Sequence, residues 1–178
     1  MSNQTDNDGY PLDSNPTTSA AEIATAWKRE LPGAATDSIL TITPLWRVAK
    51  ILADERRRFL QRLGVEPATL DLLSTLRRAG RPYTLTTRQL ANRTLVTAGA
   101  ISQRVARAEH AGLVTRSRTA KSRRGVTVAL TTAGHDLIEP TVRALLAHEA
   151  TLLTALDPID QTHLGAFLAR LERDLTSR

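Results

Sequence analysis

The chain contains no cysteine, which excludes disulfides, thiolate nucleophiles and cysteine-ligated metals and fits a cytoplasmic protein. Aromatic residues make up only 3%, so Leu, Ala, Val and Ile must fill the core. No apolar run approaches the roughly 18 residues of a membrane span, and the first residues are acidic and polar, unlike a signal peptide. His110, His135, His148 and His163 are scattered without ligand-like spacing, and no GxSxG elbow, P-loop or dinucleotide fingerprint occurs. These absences argue against an enzyme, a membrane protein and a metal site, and nothing asks for a cofactor.

What is present is a chain of 178 residues, 41% hydrophobic, enough for one ordinary core with extensions. The net charge is +6, and its location says more than its total. Between Arg88 and Arg124 nine basic residues face a single acid, Glu109, giving that segment +8 and leaving −2 for the rest. A solvated charge run is the bland explanation. A cationic face for a polyanion is the other, and the surrounding pattern favours it.

Residues 1–18 lack apolar periodicity and read as a disordered arm. Order is expected from Ser19, whose spacing to Glu22 matches a capping box, with the helix ending near Pro32 and Gly33. Asp37 or Ser38 can cap a second helix running to Leu63, in which Pro44 is either a kink or the first turn. Pro67 opens a short apolar helix closed by Gly80. The organisation expected is an arm over 1–18, N-terminal helices over 19–63, a DNA-binding unit over 64–131 and C-terminal helices over 132–178.

Thr86 caps a short helix, TRQLANRTL, and a second follows with Ile101, Val105 and Ala108 on its inward stripe. Two short helices with a tight connection make a helix-turn-helix. The candidate DNA-reading residues of the second helix are Thr97, Gly99, Ala100, Ser102, Gln103 and Arg107. Small residues let a helix sit deep in a groove, and Gln and Arg offer paired hydrogen bonds to base edges. After Gly112, LVTRS reads as a strand, RTAKSRRG as a cationic turn and VTVALT as a returning strand. This hairpin is a wing whose Arg118, Lys121, Arg123 and Arg124 can reach phosphates or the minor groove.

The blocks LTTRQLANRT, GAISQRVARAEHAGLVTR and SRRGVTVALTTAG, in that order, resemble the MarR family of winged-helix transcription regulators, over roughly Ser19 to Leu175. AWKRELPG in an extra N-terminal helix and LDLLSTLRRAGRPYTLT make the chain most similar to the urate-responsive PecS and TamR type. The fold expected is mainly α with a small β-hairpin wing. The resemblance implies a homodimer built from the terminal helices, and two-fold symmetry would then require a palindromic operator in double-stranded DNA. It also implies a pocket at Trp27, Asp71, Arg104 and Arg116 for a small anionic effector, urate-like or an aromatic acid. Two arginines suit an anionic purine, the carboxylate can accept ring N–H groups, and the indole can stack. A structural alternative stands beside this: Trp27 anchors the extra helix and Asp71 pairs with an arginine. Asp71 needs a partner among Leu70, Leu72 and Leu73, and Arg104 lies near the buried stripe, where it can supply one.

The last two helices, roughly Thr132 to Leu156 and Pro158 to Leu175, each carry a leucine-rich stripe, with Pro140 expected to kink or interrupt the first. They can cover one another or form a subunit contact. The function expected is a sequence-specific repressor released by its ligand. The alternatives are an architectural DNA binder with little specificity and a regulator that senses nothing.

Overall fold

The computed structural model describes residues 18–118 and 126–178, and these fall into two compact units divided between Arg57 and Arg58. The expected N-terminal arm lies outside the described residues except for Thr18.

In the first unit, α1 (Ala20–Glu30) begins with the expected capping box. The Ser19 hydroxyl accepts from the Glu22 amide at 3.1 Å, and the Glu22 carboxylate accepts from the Ser19 amide at 2.7 Å. Thr36–Ser38 form one 3-10 turn that runs directly into α2 (Ile39–Arg62). The expected cap by Asp37 or Ser38 is therefore replaced by a tightened turn whose own backbone leads into the helix. Pro44 lies inside α2. The Arg47 guanidinium donates to the Thr18 carbonyl at 2.8 Å, holding Thr18 against this helix.

In the second unit, Pro67 opens α3 (Pro67–Arg78), whose Leu70, Leu72, Leu73 and Leu76 are all buried. Around them close Leu60, Leu85, Leu90, Ile101, Val105, Val114, Val128, Ile138 and Leu145, one continuous aliphatic core. The sheet is antiparallel and three-stranded, in the order β1 (Thr84–Thr86), β3 (Val126–Leu130), β2 (Val114–Arg118). The expected two-stranded wing thus gains a strand. Leu85 pairs with Val128, and both side chains are buried, so burial selects strand geometry for a segment too short to show a period.

Helix α6 (Thr132–Leu152) continues through Pro140 as one element, and α7 (Pro158–Thr176) follows. Of the two outcomes expected at Pro140, a kink or an interruption, the interruption does not occur: the helix is continuous there. Ile138, Thr141 and Leu145, on either side of the proline, are all buried, and that packing outweighs one lost amide donor. The start of α6 is pinned to the sheet: the Thr131 hydroxyl donates to the Gly112 carbonyl at 2.7 Å and accepts from the Gly134 amide at 3.0 Å. A Cβ at Gly134 would overlap the Leu113 carbonyl oxygen. Further along, Arg77 of α3 donates to Glu139 of α6 at 3.0 Å and lies 4.7 Å over the Tyr83 ring. By contrast, α7 buries none of its residues.

Candidate nucleic-acid interface

Helix α4 (Thr87–Thr94) starts with a second capping box, Thr86 with Gln89, at 3.1 and 2.9 Å. Leu90 anchors it in the core, and the Thr94 hydroxyl returns a hydrogen bond to the Leu90 carbonyl. The chain turns at Leu95 and Val96 into α5 (Ala98–His110). Ile101, Val105 and Ala108 are buried as expected. Their spacing locks one face of α5 inward and leaves the other to solvent.

On that outer face Gly99, Ser102, Gln103 and Arg107 are exposed, while Ala100 is half-buried at the edge. Nothing stands within 4 Å of where a Gly99 Cβ would be, so backbone and surroundings alike are open to an approaching surface. Thr97 serves as N-cap, its hydroxyl accepting from the Ala100 amide at 3.2 Å. The hydroxyl proton remains able to donate outward. Ser102 donates back to the Ala98 carbonyl at 2.9 Å. Arg107 reaches Glu66 only at 3.9 Å, with both side chains largely exposed, a contact too weak to withhold it from another anion. Arg88 and Arg93 add exposed cations on α4. Arg118 ends β2, and Lys121, Arg123 and Arg124 lie outside the described residues.

The four expected effector residues divide. Asp71 and Arg104 come together: Asp71 projects away from its buried leucine neighbours, and the Arg104 guanidinium stands 3.6 Å from its carboxylate. Arg104 is the less exposed partner, at 21% against 50%. Arg116 instead binds Glu109, with Nε donating to the carboxylate at 2.6 Å. That hydrogen bond holds the Glu109 carboxyl below its ordinary range and raises the Arg116 guanidinium. Trp27 belongs to the first unit, in α1, and is 40% exposed. Glu109 was absent from the sequence-derived candidates. Its signal was its isolation as the single acid in the basic segment.

A MarR family model matches residues 63–125. The transcriptional regulator PecS of Dickeya dadantii (strain 3937) is 29% identical over 157 residues, 88% of this chain and 95% of that protein. Residues 63–125 thus resemble the MarR family, and most of the chain is similar to one transcriptional regulator. The fold is a winged helix-turn-helix with terminal helices, as in MarR-like proteins. Two solved structures share the fold. A cysteine-to-serine mutant of MarR from E. coli, complexed with operator DNA, has a TM-score of 0.63 and 24% identity over 73% of this chain and 94% of that one. Bordetella bronchiseptica BpsR, whose DNA binding is regulated by 6-hydroxynicotinic acid, has a TM-score of 0.61 and 17% identity over 72% and 98%. Family relatives thus bind operator DNA and small aromatic acids. Among the described residues no helix is long and apolar enough to cross a membrane.

Proposed function

We propose that this chain is a MarR-family transcription regulator that binds a palindromic operator as a homodimer, represses from it, and is released by a small anionic ligand such as urate, another purine or an aromatic acid. The observation that carries the reading is α5 itself. Ile101, Val105 and Ala108 hold it in the core, and Gly99, Gln103 and Arg107 stand on its open face within a segment of charge +8. A rigidly seated helix with small and bidentate side chains outward suits the major groove, while the wing cations suit phosphates.

The dimer is supported by apolar surface left exposed on α7. Leu164, Phe167, Leu168 and Leu175 on α7 are each 41–59% exposed, more than a lone soluble subunit leaves on one helix. Two-fold pairing through such helices would set the half-sites about 34–36 Å apart. The ligand reading is supported by the Asp71–Arg104 pair. Arg104 shares α5 with Gln103 and Arg107, so a bound anion that re-pairs it would shift the seating of the reading helix.

The test titrates the protein onto a genome-derived DNA library at fixed near-physiological salt, then adds urate and a panel of aromatic carboxylates. The expected result is strong enrichment of a short palindrome and its release by one ligand. Equal recovery of all fragments would favour an architectural protein, and enrichment without release would remove the effector.

A further inference from the structure

The turn between α4 and α5 holds a residue that its local surroundings do not explain. Leu95 closes α4 with φ 54° and ψ 36°, the left-handed region where a Cβ crowds the following carbonyl and where glycine or asparagine is the usual occupant. Its amide donates to the Ala91 carbonyl, a task any residue with an N–H performs. Its side chain is 92% exposed, the most exposed large apolar group among the described residues. The neighbouring Val96 already packs against the core, so the turn has its apolar anchor one position later. A single exposed leucine is ordinary on a protein surface. A leucine both left-handed and 92% exposed carries two unfavourable features with little burial to offset them, and such backbone outliers gather at binding sites.

Its place in the chain says which contact is missing. Leu95 stands two residues before Thr97, the N-cap of α5, at the end of that helix nearest Gly99 and Gln103. In helix-turn-helix docking the N-terminal residues of the second helix approach base edges. The apolar group that bases present in the major groove is the thymine C5 methyl. We propose that Leu95 is a specificity-determining residue that reads a thymine methyl beside the bases faced by Gly99 and Gln103. The inference rests on the operator-binding reading above and adds a base preference to it. The left-handed turn directs the side chain outward, and its contact with the methyl removes both apolar surfaces from water when DNA arrives. No charge takes part, so the salt dependence of binding is untouched.

The experiment takes the DNA fragment that the full-length parent selects and replaces each thymine in turn by deoxyuridine, which lacks only the methyl. Parent, Leu95→Asn and Leu95→Gly are titrated onto the set at fixed salt. Asparagine and glycine tolerate the left-handed region, so neither variant is expected to melt below the parent. The parent should lose about fourfold in affinity at one thymine in each half-site, the value of one buried methyl-sized group. Both variants should bind the unmodified fragment about that much more weakly per half-site and cease to distinguish thymine from deoxyuridine there. Variants that retain the parent's discrimination at every thymine overturn the assignment and leave operator binding intact. Variants that melt well below the parent make Leu95 a folding residue and also overturn it. A parent that prefers no fragment overturns the operator reading, and this assignment with it.

Discussion

The Arg104 guanidinium stands 3.6 Å from the Asp71 carboxylate and ties the middle of α5 to α3. One member of the pair therefore sits on the helix proposed to read DNA, and the other on a helix that buries Leu70, Leu72, Leu73, Thr75 and Leu76. If this pair receives an anionic ligand, Asp71→Asn should leave operator affinity near the parent's and raise the ligand concentration needed for release by about tenfold or more, the value of one charge-assisted hydrogen bond. Since Asp71 is half-exposed, the fold should lose no more than about 1 kcal/mol. Release at the parent's ligand concentration would make the pair structural.

Glu109 and Arg116 make a second bridge, from the end of α5 to β2, and this one has a pH signature. The hydrogen bond from Arg116 lowers the Glu109 carboxyl below its ordinary 4.5. A depressed carboxylate stabilises the folded chain above its unfolded pKa, and that contribution disappears as pH falls through the lowered folded value. The parent should thus lose stability on acidification below about pH 4.5 more steeply than Glu109→Gln, which keeps an acceptor but cannot titrate. Urea unfolding of both chains across pH 3 to 7 would show it. Parallel curves would mean that the bridge is too well solvated to matter.

Gly134 lets the first turn of α6 pass against the backbone that leads into β2. Its added Cβ would meet the Leu113 carbonyl oxygen and, at 3.0 Å, the Leu130 side chain. The leucine can rotate, but the carbonyl belongs to a segment held by Thr131. Gly134→Ala should cost about 1–3 kcal/mol, the range for overpacking, and lower the melting temperature by several degrees. An unchanged melting temperature would mean that the sheet and α6 slide apart more freely than these hydrogen bonds suggest.

Much of the fold was legible because its punctuation is local. Ser19 with Glu22, Pro67 and Thr86 each announce a helix start, and the spacing of Ile101, Val105 and Ala108 marks the buried side of α5. The features that escaped depend on contacts distant in sequence. β1 has only three residues and becomes a strand by pairing with β3 some forty positions later. Pro140 stays helical because the residues around it are buried against other elements. The same holds for the site. That Asp71 needs an arginine could be read from its leucine neighbours, and Arg104 was within reach, but the capture of Arg116 by Glu109 depends on where β2 lies beside α5. Leu95 looked like an ordinary member of a helix until its backbone placed it in the left-handed region.

The division of labour between α5 and the wing gives the last prediction. Gln103 and Arg107 face outward from a helix fixed in the core, so they are suited to base edges. Arg124 lies in the cationic SRRG stretch, whose composition suits phosphates. Changing Gln103 or Arg107 to alanine should reorder a set of operator variants, with losses of about 1–3 kcal/mol confined to particular base pairs. Arg124→Ala should weaken all sequences alike and reduce the slope of log K against log salt by about one. The two outcomes separate because a base contact carries sequence information and a phosphate contact carries counterions. If the Gln103 and Arg107 variants rank operators as the parent does while Arg124→Ala lowers the slope, the wing alone binds DNA and α5 reads nothing, which is the behaviour of an architectural protein.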